Sequence, residues 1–194
     1  MKKKETLKDG TKVTIKELTS DDLDRLMRFY RSLPEEDRKY LRVDVTDRGV
    51  VAKRIKLIKE GDVVRIVALH DDQIVADGAL ELSEEEWRKH QGELRVIVAR
   101  EFQHKGLGMI MMRELYFIAA RKKVEKVVVK MMRPQIAARN ICHKLGFREE
   151  HMIPDYVRDL SGQLQDLIIM TCDMDEFWKE LEFFYMDSDW RRCR

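Results

Sequence analysis

One stretch of the chain decides the fold, and it reads Glu93-Leu94-Arg95-Val96-Ile97-Val98 and, after a short connection, Gln103-His104-Lys105-Gly106-Leu107-Gly108. The first six residues are rich in apolar and β-branched side chains and predict a strand. Apolar residues at helical spacing follow over 106–122 and predict a helix. Gly106 and Gly108 permit left-handed dihedrals and let a ligand approach the backbone where a Cβ atom would clash. The stretch therefore predicts a strand, a tight loop and a helix.

The loop between this strand and this helix suits a pyrophosphate. The first N–H groups of a helix have no partner within the helix, and the helix dipole adds partial positive charge there. Lys105 would add a point charge. A glycine pair alone is a weak signal, because many such pairs only turn the chain. The loop lacks the Gly-Lys-Ser/Thr ending of nucleotide-hydrolysing loops and the third glycine of the dinucleotide fingerprint, which disfavours nucleotide hydrolysis and hydride transfer.

Strands and helices alternate on the C-terminal side of the loop. This order implies a parallel pair of strands joined by a right-handed crossover. On the N-terminal side, two strands face each other across a turn at 70–73, so that end of the sheet is predicted to be antiparallel. The fold class is therefore mixed α/β. The predicted strands span 12–17, 63–69, 74–80, 93–98, 126–132, 147–157 and 164–174, and the predicted helices begin near Thr19, Pro34 and Val50 and span 106–122 and 135–145.

The chain length fits a single domain, which we place at 1–175 with a cofactor-binding core at about 93–147. Residues 176–194 are predicted to form a helical tail, because apolar residues such as Phe177 and Leu181 recur at helical spacing. This apolar stripe requires a covering surface, either on the same domain or on a second copy of the chain. A homodimer is one of these two arrangements.

Two motifs give the chain a resemblance to a known family. Gln103, Gly106 and Gly108 follow an apolar strand in the order Gln or Arg, two residues, Gly, one residue, Gly or Ala. A second motif runs from Gln135 to Phe147 and ends in Lys-Leu-Gly-Phe. In both motifs and in their separation, the chain resembles the GNAT superfamily of N-acetyltransferases. The resemblance covers about 60 to 175, whereas the first 60 residues match only as a generic strand and helices.

The resemblance implies a GNAT-like mixed sheet with splayed central strands, flanking helices and acetyl-CoA as co-substrate. In the family, the pantetheine arm fills the wedge between a central strand and its parallel neighbour, and here the splay would fall at 96–98. The residues expected to bind acetyl-CoA are Val96, Ile97, Val98, Gln103, His104, Lys105, Gly106, Leu107, Gly108, Met109 and Gln135.

Glu93 is the candidate catalytic residue. Acylation requires the neutral form of the amine, so a base is needed near the acetyl group. Glu93 begins the cofactor strand ten residues before Gln103, a spacing similar to that of Pat-type bacterial protein lysine acetyltransferases, in which a glutamate serves as base. A solvated strand end is the rival interpretation of Glu93, and Glu81 and Glu101 rank below it as bases.

The chain departs from the family pattern at two positions. Cys142 occupies the slot where many members carry a tyrosine that protonates the leaving thiolate, and we expect a small buried residue there. Gln135 replaces an asparagine and keeps an amide for the cofactor. Cofactor binding is therefore expected to survive both changes.

These features lead to three functional hypotheses. The first is acetyl transfer to a lysine side chain of a protein, by direct attack of the amine on the thioester. The second gives the same enzyme a small amine or an amino acid, because substrate choice is expected to lie in the poorly matched N-terminal region. The third is a domain that binds acyl-CoA as a sensor without turnover. The presence of Glu93 favours catalysis, and the missing tyrosine favours sensing.

Composition narrows the range of partners. Lys and Arg number 38 against 36 Asp and Glu, and the net charge of +2 provides no general field for nucleic acid or membrane. The basic start of the chain continues into Glu5 and Lys8 rather than an apolar segment, and the three cysteines lack metal-ligand spacing. We therefore expect a cytoplasmic protein with reduced thiols, no metal, and no nucleic-acid or membrane partner.

Overall fold

A mixed sheet lies at the centre of the structure, a computed structural model that describes residues 2–60 and 63–187. In this part of the chain the strands are β1 (Lys2–Thr6), β2 (Lys12–Glu17), β3 (Val63–His70), β4 (Gln73–Leu82), β5 (Gln91–Val98), β6 (Lys126–Met132), β7 (Arg148–Arg158) and β8 (Leu164–Asp173). The helices are α1 (Leu23–Ser32), α2 (Glu35–Arg38), α3 (Arg48–Glu60), α4 (Leu107–Arg121), α5 (Ile136–Lys144) and α6 (Met174–Asp187). Short 3-10 turns lie at Ser20–Asp22, Glu86–Arg88 and Arg100–Phe102.

The eight described strands lie in the order β1-β2-β3-β4-β5-β6-β8-β7. Each neighbouring pair is antiparallel except β5 and β6, which are parallel and are connected through α4. The predicted mixed α/β class is therefore confirmed. The sequence did not predict β1, because this edge strand is mostly exposed and shows no apolar alternation.

The parallel pair β5–β6 is short. Residues 91–93 of β5 lie opposite residues 126–128 of β6, and the pairing ends there. β5 stays paired with β4 up to Val98, and β6 stays paired with β8 along its whole length. From Leu94 and Val129 onward, the two strands therefore diverge and present facing backbone edges without sheet partners. This is the predicted splay of the central strands.

Hydrophobic clusters cover both faces of the sheet. Met111 and Leu115 of α4 are fully buried in the cluster on one face. Leu26 of α1 and Val51 of α3 belong to the cluster on the other face. Side chains of β5 alternate between these two environments, so this one strand contributes to both sides of the site.

Helix α6 packs on its own domain. Phe177 and Leu181 are fully buried in the cluster around α4, and Trp178 stacks on Tyr116 with ring centroids 5.2 Å apart. The end of the predicted tail, residues 188–194 with Cys193, lies outside the described residues. None of the described helices has the length and apolar character needed to cross a membrane.

Candidate active site

A cavity of about 1270 Å³ follows the divergence of β5 and β6. We divide its wall into two parts that differ in chemistry. The loop half includes Val96, Val98, Gln103, Gly106, Met131 and Gln135. The arginine half includes Tyr30, Arg42, Arg54, Arg65, Arg95 and Lys130.

The loop half is built around the start of α4. Gly106 is the N-cap of this helix and has a φ of 88°, and His104 also has a positive φ of 59°. As a glycine, Gly106 has no side chain that could hydrogen bond to the N–H groups of the first turn. Gly108 and Met109 line the cavity, whereas the predicted contact Leu107 is fully buried in the core and does not line it. The start of α4, where the first N–H groups have no partner within the helix, thus lies at the cavity wall.

The polar side chains of the loop mainly stabilise its shape. Gln103 Nε2 donates a hydrogen bond to the Val98 carbonyl at 3.0 Å. Lys105 Nζ lies 2.9 Å from Asp9 Oδ2, and this hydrogen bond lowers the pKa of Asp9 to about 2. Lys105 is not among the lining residues, and the cation at this position of the wall is Lys8, which the sequence did not indicate. The Lys8 N–H donates to the Lys105 carbonyl at 3.0 Å.

Two further predicted positions lie at and within α5. Gln135 Oε1 accepts a hydrogen bond from the Met132 N–H at 2.8 Å, which ties the start of α5 to the end of β6. Cys142 lines the cavity but is only 5% exposed, and burial raises the pKa of its thiol to about 12. Its sulfur is therefore a protonated, small apolar group at neutral pH.

Glu93 lies at the narrow end of the divergence, as the last β5 residue paired with β6. Its side chain is 14% exposed, so it is not a solvated strand end. The carboxylate forms ion pairs with Arg42 and with Lys130, whose Nζ is 3.0 Å from Oε2. Glu93 lines a smaller depression behind these cations rather than the large cavity. Both carboxylate oxygens of Glu93 therefore already accept from a cation.

The other two carboxylates considered as bases lie in different surroundings. Glu81 also lines the smaller depression and pairs with Arg95 and with Arg54, whose guanidinium lies 3.2 Å from Oε1. Glu101 is exposed and does not line the large cavity. Glu93 is therefore the one of the three that lies where the wedge begins.

Three buried residues of the arginine half, Tyr30, Arg65 and Asp77, form a hydrogen-bonded triad. The Arg65 guanidinium donates to Asp77 Oδ2 at 2.7 Å and to the Tyr30 hydroxyl at 3.1 Å, and the Tyr30 hydroxyl donates to the same carboxylate at 2.8 Å. Burial is the main factor that raises the pKa of Tyr30, followed by the charge of Asp77. Tyr30 is thus a hydrogen-bond donor and not a base at neutral pH.

Residues 62–149 match the family model of the acetyltransferase (GNAT) domain. The central part of the chain is therefore similar to this domain. Domains of this family carry out acetyl-CoA-dependent N-acetylation, and the loop of Gln103, Gly106 and Gly108 lies within the matched residues. No curated protein sequence matches the chain significantly.

Solved structures agree with the GNAT fold. The ribosomal-protein-alanine N-acetyltransferase from Brucella melitensis superposes with a TM-score of 0.71 at 20% identity, over 82% of this chain and 98% of that one. The GNAT domain of Pat from S. lividans gives 0.72 at 15% identity, over 89% and 96%. A Salmonella typhimurium structure, described as an acetyltransferase with its cofactor acetyl-CoA, gives 0.71 at 18% identity, over 84% and 94%. At these identities the likeness shows the fold alone.

The sequence does not predict the arginine half of the cavity, part of which lies outside the residues that match the family model. Its cations come from the segment after α2 and from α3, β3, β5 and β6. The available signal was charge inside apolar strands, since Arg65 and Arg95 interrupt otherwise hydrophobic runs. In the described part of the chain, no group of three or more His, Cys, Asp or Glu residues is placed to hold a metal ion.

Proposed function

We propose that the protein transfers an acetyl group from acetyl-CoA to an amine, which attacks the thioester directly. The observation that carries the proposal is the divergence of β5 and β6 directly after Glu93. The free strand edge over 94–98 is about 16 Å long at 3.3 Å per residue, comparable to a pantetheine arm. With the pyrophosphate at the glycine loop, the thioester would lie at the narrow end, near Arg95.

The residues of the loop half fit acetyl-CoA. The N–H groups at Gly106, Gly108 and Met109 would bind the pyrophosphate, with added charge from Lys8. The free backbone edge at Val96 and Val98 would hydrogen bond to the amides of the pantetheine arm. The phosphates carry the negative charge of acetyl-CoA, and the part of the wall that would face the pantetheine arm is largely apolar.

In this proposal Glu93 is the general base. Its place at the narrow end of the wedge supports the role, because the attacking amine must reach the thioester there. Its proton-accepting oxygen becomes free when the ion pair with Arg42 or with Lys130 opens. The chain's own part in the reaction is then to hold the amine, take its proton on Glu93 and exclude water.

The acceptor has two candidates, a protein lysine and a small amine. The fold similarity to a ribosomal-protein-alanine N-acetyltransferase and to a Pat domain favours a protein amine. The cationic lining of the arginine half favours a small acceptor that does not present further positive charge. We place the small amine first, because the cationic lining belongs to this protein's own cavity, whereas the fold similarity concerns other proteins.

The test combines cofactor binding with turnover. Calorimetry should detect saturable binding of acetyl-CoA, and thiol release should require both acetyl-CoA and an amine. The acceptor panel should contain free amino acids, polyamines and lysine peptides. Binding without thiol release for any amine would favour the sensor hypothesis, and absence of binding would refute the proposal.

A further inference from the structure

The wall of the arginine half carries surplus positive charge. Four cations of this half face the cavity outside the neutral Arg65–Asp77 pair: Arg42, Arg54, Arg95 and Lys130. In the described part of the chain, the carboxylates that form ion pairs with these four are Glu81 and Glu93. Four positive charges against two negative charges leave a surplus of two.

The carboxylates are also on the wrong side of these cations to neutralise the cavity. Glu81 and Glu93 line the smaller depression, and neither lines the large cavity. Lys130 lines both spaces and therefore separates them. Asp37 does line the large cavity, but its two oxygens accept from Arg100 at 2.9 and 3.0 Å. A ligand in the arginine half therefore meets cations first.

Two of the four cations, Arg95 and Lys130, are partly buried, so water solvates their charge incompletely. Burial, followed by the charges of Arg42, Arg54 and Arg65, lowers the pKa of Arg95 to about 9. Burial also lowers the pKa of Lys130, again reinforced by neighbouring arginines. The Arg95 Nε atom is buried and has no hydrogen-bond partner among the described residues. An unpaired buried donor of this kind is costly unless a ligand accepts from it.

We propose that the acceptor amine carries a carboxylate, as a free amino acid does, and that the arginine half binds this carboxylate. The inference rests on the proposed acetyl transfer. Planar guanidinium groups match a carboxylate in size and geometry, so Arg42 and Arg95 are suited to bind it with paired hydrogen bonds. Ligand binding would then supply the negative charge that the cavity wall lacks.

This arrangement has two consequences for the reaction. Nearby positive charge disfavours the ammonium form of the acceptor, so a larger fraction of the bound amine is neutral and nucleophilic. When Arg42 hydrogen bonds to the ligand carboxylate, its ion pair with Glu93 opens and frees an oxygen to accept the amine proton. Polyamines and basic peptides would be rejected by like-charge repulsion.

The experiment compares matched acceptors that differ in the carboxylate. Free amino acids and their amides carry the same side chain and amine, and kcat/KM should be compared per neutral amine because the amine pKa differs between them. We expect a preference of about 10- to 100-fold for the acid, the range of a hydrogen bond to a charged group. Lysine peptides with neighbouring Glu or Gln residues form a second pair, which reports whether a protein segment supplies the carboxylate instead.

Variants connect the preference to the cavity. Arg42→Gln, or Lys130→Gln if the first variant does not fold, should reduce the acid preference to about threefold or less. Arg25→Gln is the matched control, because Arg25 also pairs with two carboxylates, Asp22 and Asp72, and none of these three residues lines the cavity. It should retain the wild-type preference. Equal kcat/KM for acid and amide, an intact preference in Arg42→Gln, or a preference confined to the peptides would overturn the inference.

A binding measurement keeps this inference separate from the proposed function. Calorimetry with coenzyme A present would compare glutarate, which has carboxylates and no amine, with glutaramide, which is uncharged. Glutarate binding that is lost in Arg42→Gln would support the carboxylate site even if no amine is acetylated. Equal or absent binding of both compounds, together with normal acetyl transfer to amines that carry no carboxylate, would refute the carboxylate site and leave the proposed acetyl transfer intact.

Discussion

The two halves of the cavity recognise their ligands by different means. The loop half uses the backbone, through a helix start, two glycines and unpaired strand edges. The arginine half uses side chains that come from five separate segments of the chain. Backbone groups are the same in every protein with this geometry and therefore suit a ligand common to a whole family. Side chains from distant segments differ between proteins and therefore suit the acceptor.

Strand β5 joins the two halves. Leu94, Val96 and Val98 face the cluster around α4, whereas Glu93, Arg95 and Ile97 face the opposite side. Because the side chains of a strand alternate, one strand supplies backbone contacts for the cofactor and charged side chains for the acceptor. A change that affects only one half should therefore leave the other functional.

The largest expected effect belongs to Glu93→Gln, which acts where the halves meet. The substitution keeps the size of the side chain and removes its basicity, so turnover should fall by roughly 10²- to 10⁴-fold. Acetyl-CoA affinity, measured by calorimetry, should stay within about threefold, because Glu93 does not line the loop half.

Glu101→Gln is the control for Glu93→Gln, since Glu101 is exposed and does not line the cavity. It should behave like the wild type. Wild-type turnover of Glu93→Gln from about pH 6 to 9 would contradict the base assignment. Glu93 would then have only a structural role, through its ion pairs with Arg42 and Lys130. Glu81→Gln would then be tested next.

The second effect concerns the loop half alone. Gly106→Asp should weaken acetyl-CoA binding by about 100-fold or more, because a carboxylate would stand among the N–H groups that receive the phosphates. Gly162→Asp is a matched control: Gly162 has a φ of 87°, close to the 88° of Gly106, but lies in an exposed turn. Both variants carry similar backbone strain, so unequal cofactor affinity isolates the anion site. Equal affinities in calorimetry would rule out the loop assignment.

The different chemistry of the halves explains how much the sequence could predict. The loop half depends on local order, so Gly106, Gly108 and the splay near Val96 were predictable from spacing and family resemblance. The arginine half depends on tertiary contacts. Arg42 and Glu93 are 51 positions apart and meet only after folding. No local pattern in the sequence indicates such a pair, so the sequence does not identify the acceptor.

The third effect separates structural from ligand-binding charge within the arginine half. Asp77→Asn should lower the free energy of unfolding by about 3 kcal/mol, because it leaves the buried Arg65 cation without a counter-charge. Asp72→Asn is the control, because its ion pair with Arg25 is exposed and should contribute less than about 1 kcal/mol. Urea unfolding measures both. A small loss of stability in Asp77→Asn with a large rise in acceptor KM would instead place Arg65 in the acceptor site.

The smallest effect is expected for Cys142→Ala, whose turnover should stay within about twofold of the wild type. Burial raises the pKa of Cys142 to about 12, so its thiol stays protonated between about pH 6 and 9 and does not act as a nucleophile. Coenzyme A leaves as a thiolate, a weak base compared with an alkoxide, and therefore needs no dedicated acid.

Cys172→Ala is the control, because burial also raises the pKa of Cys172 to about 12 and this residue does not line the cavity. Both variants should lose similar, modest stability, and mass spectrometry after incubation with acetyl-CoA should find no acetyl group on Cys142. A large loss of turnover in Cys142→Ala alone, or a trapped acetyl-thioester at this position, would show that the loop half contributes a reactive side chain and not only backbone.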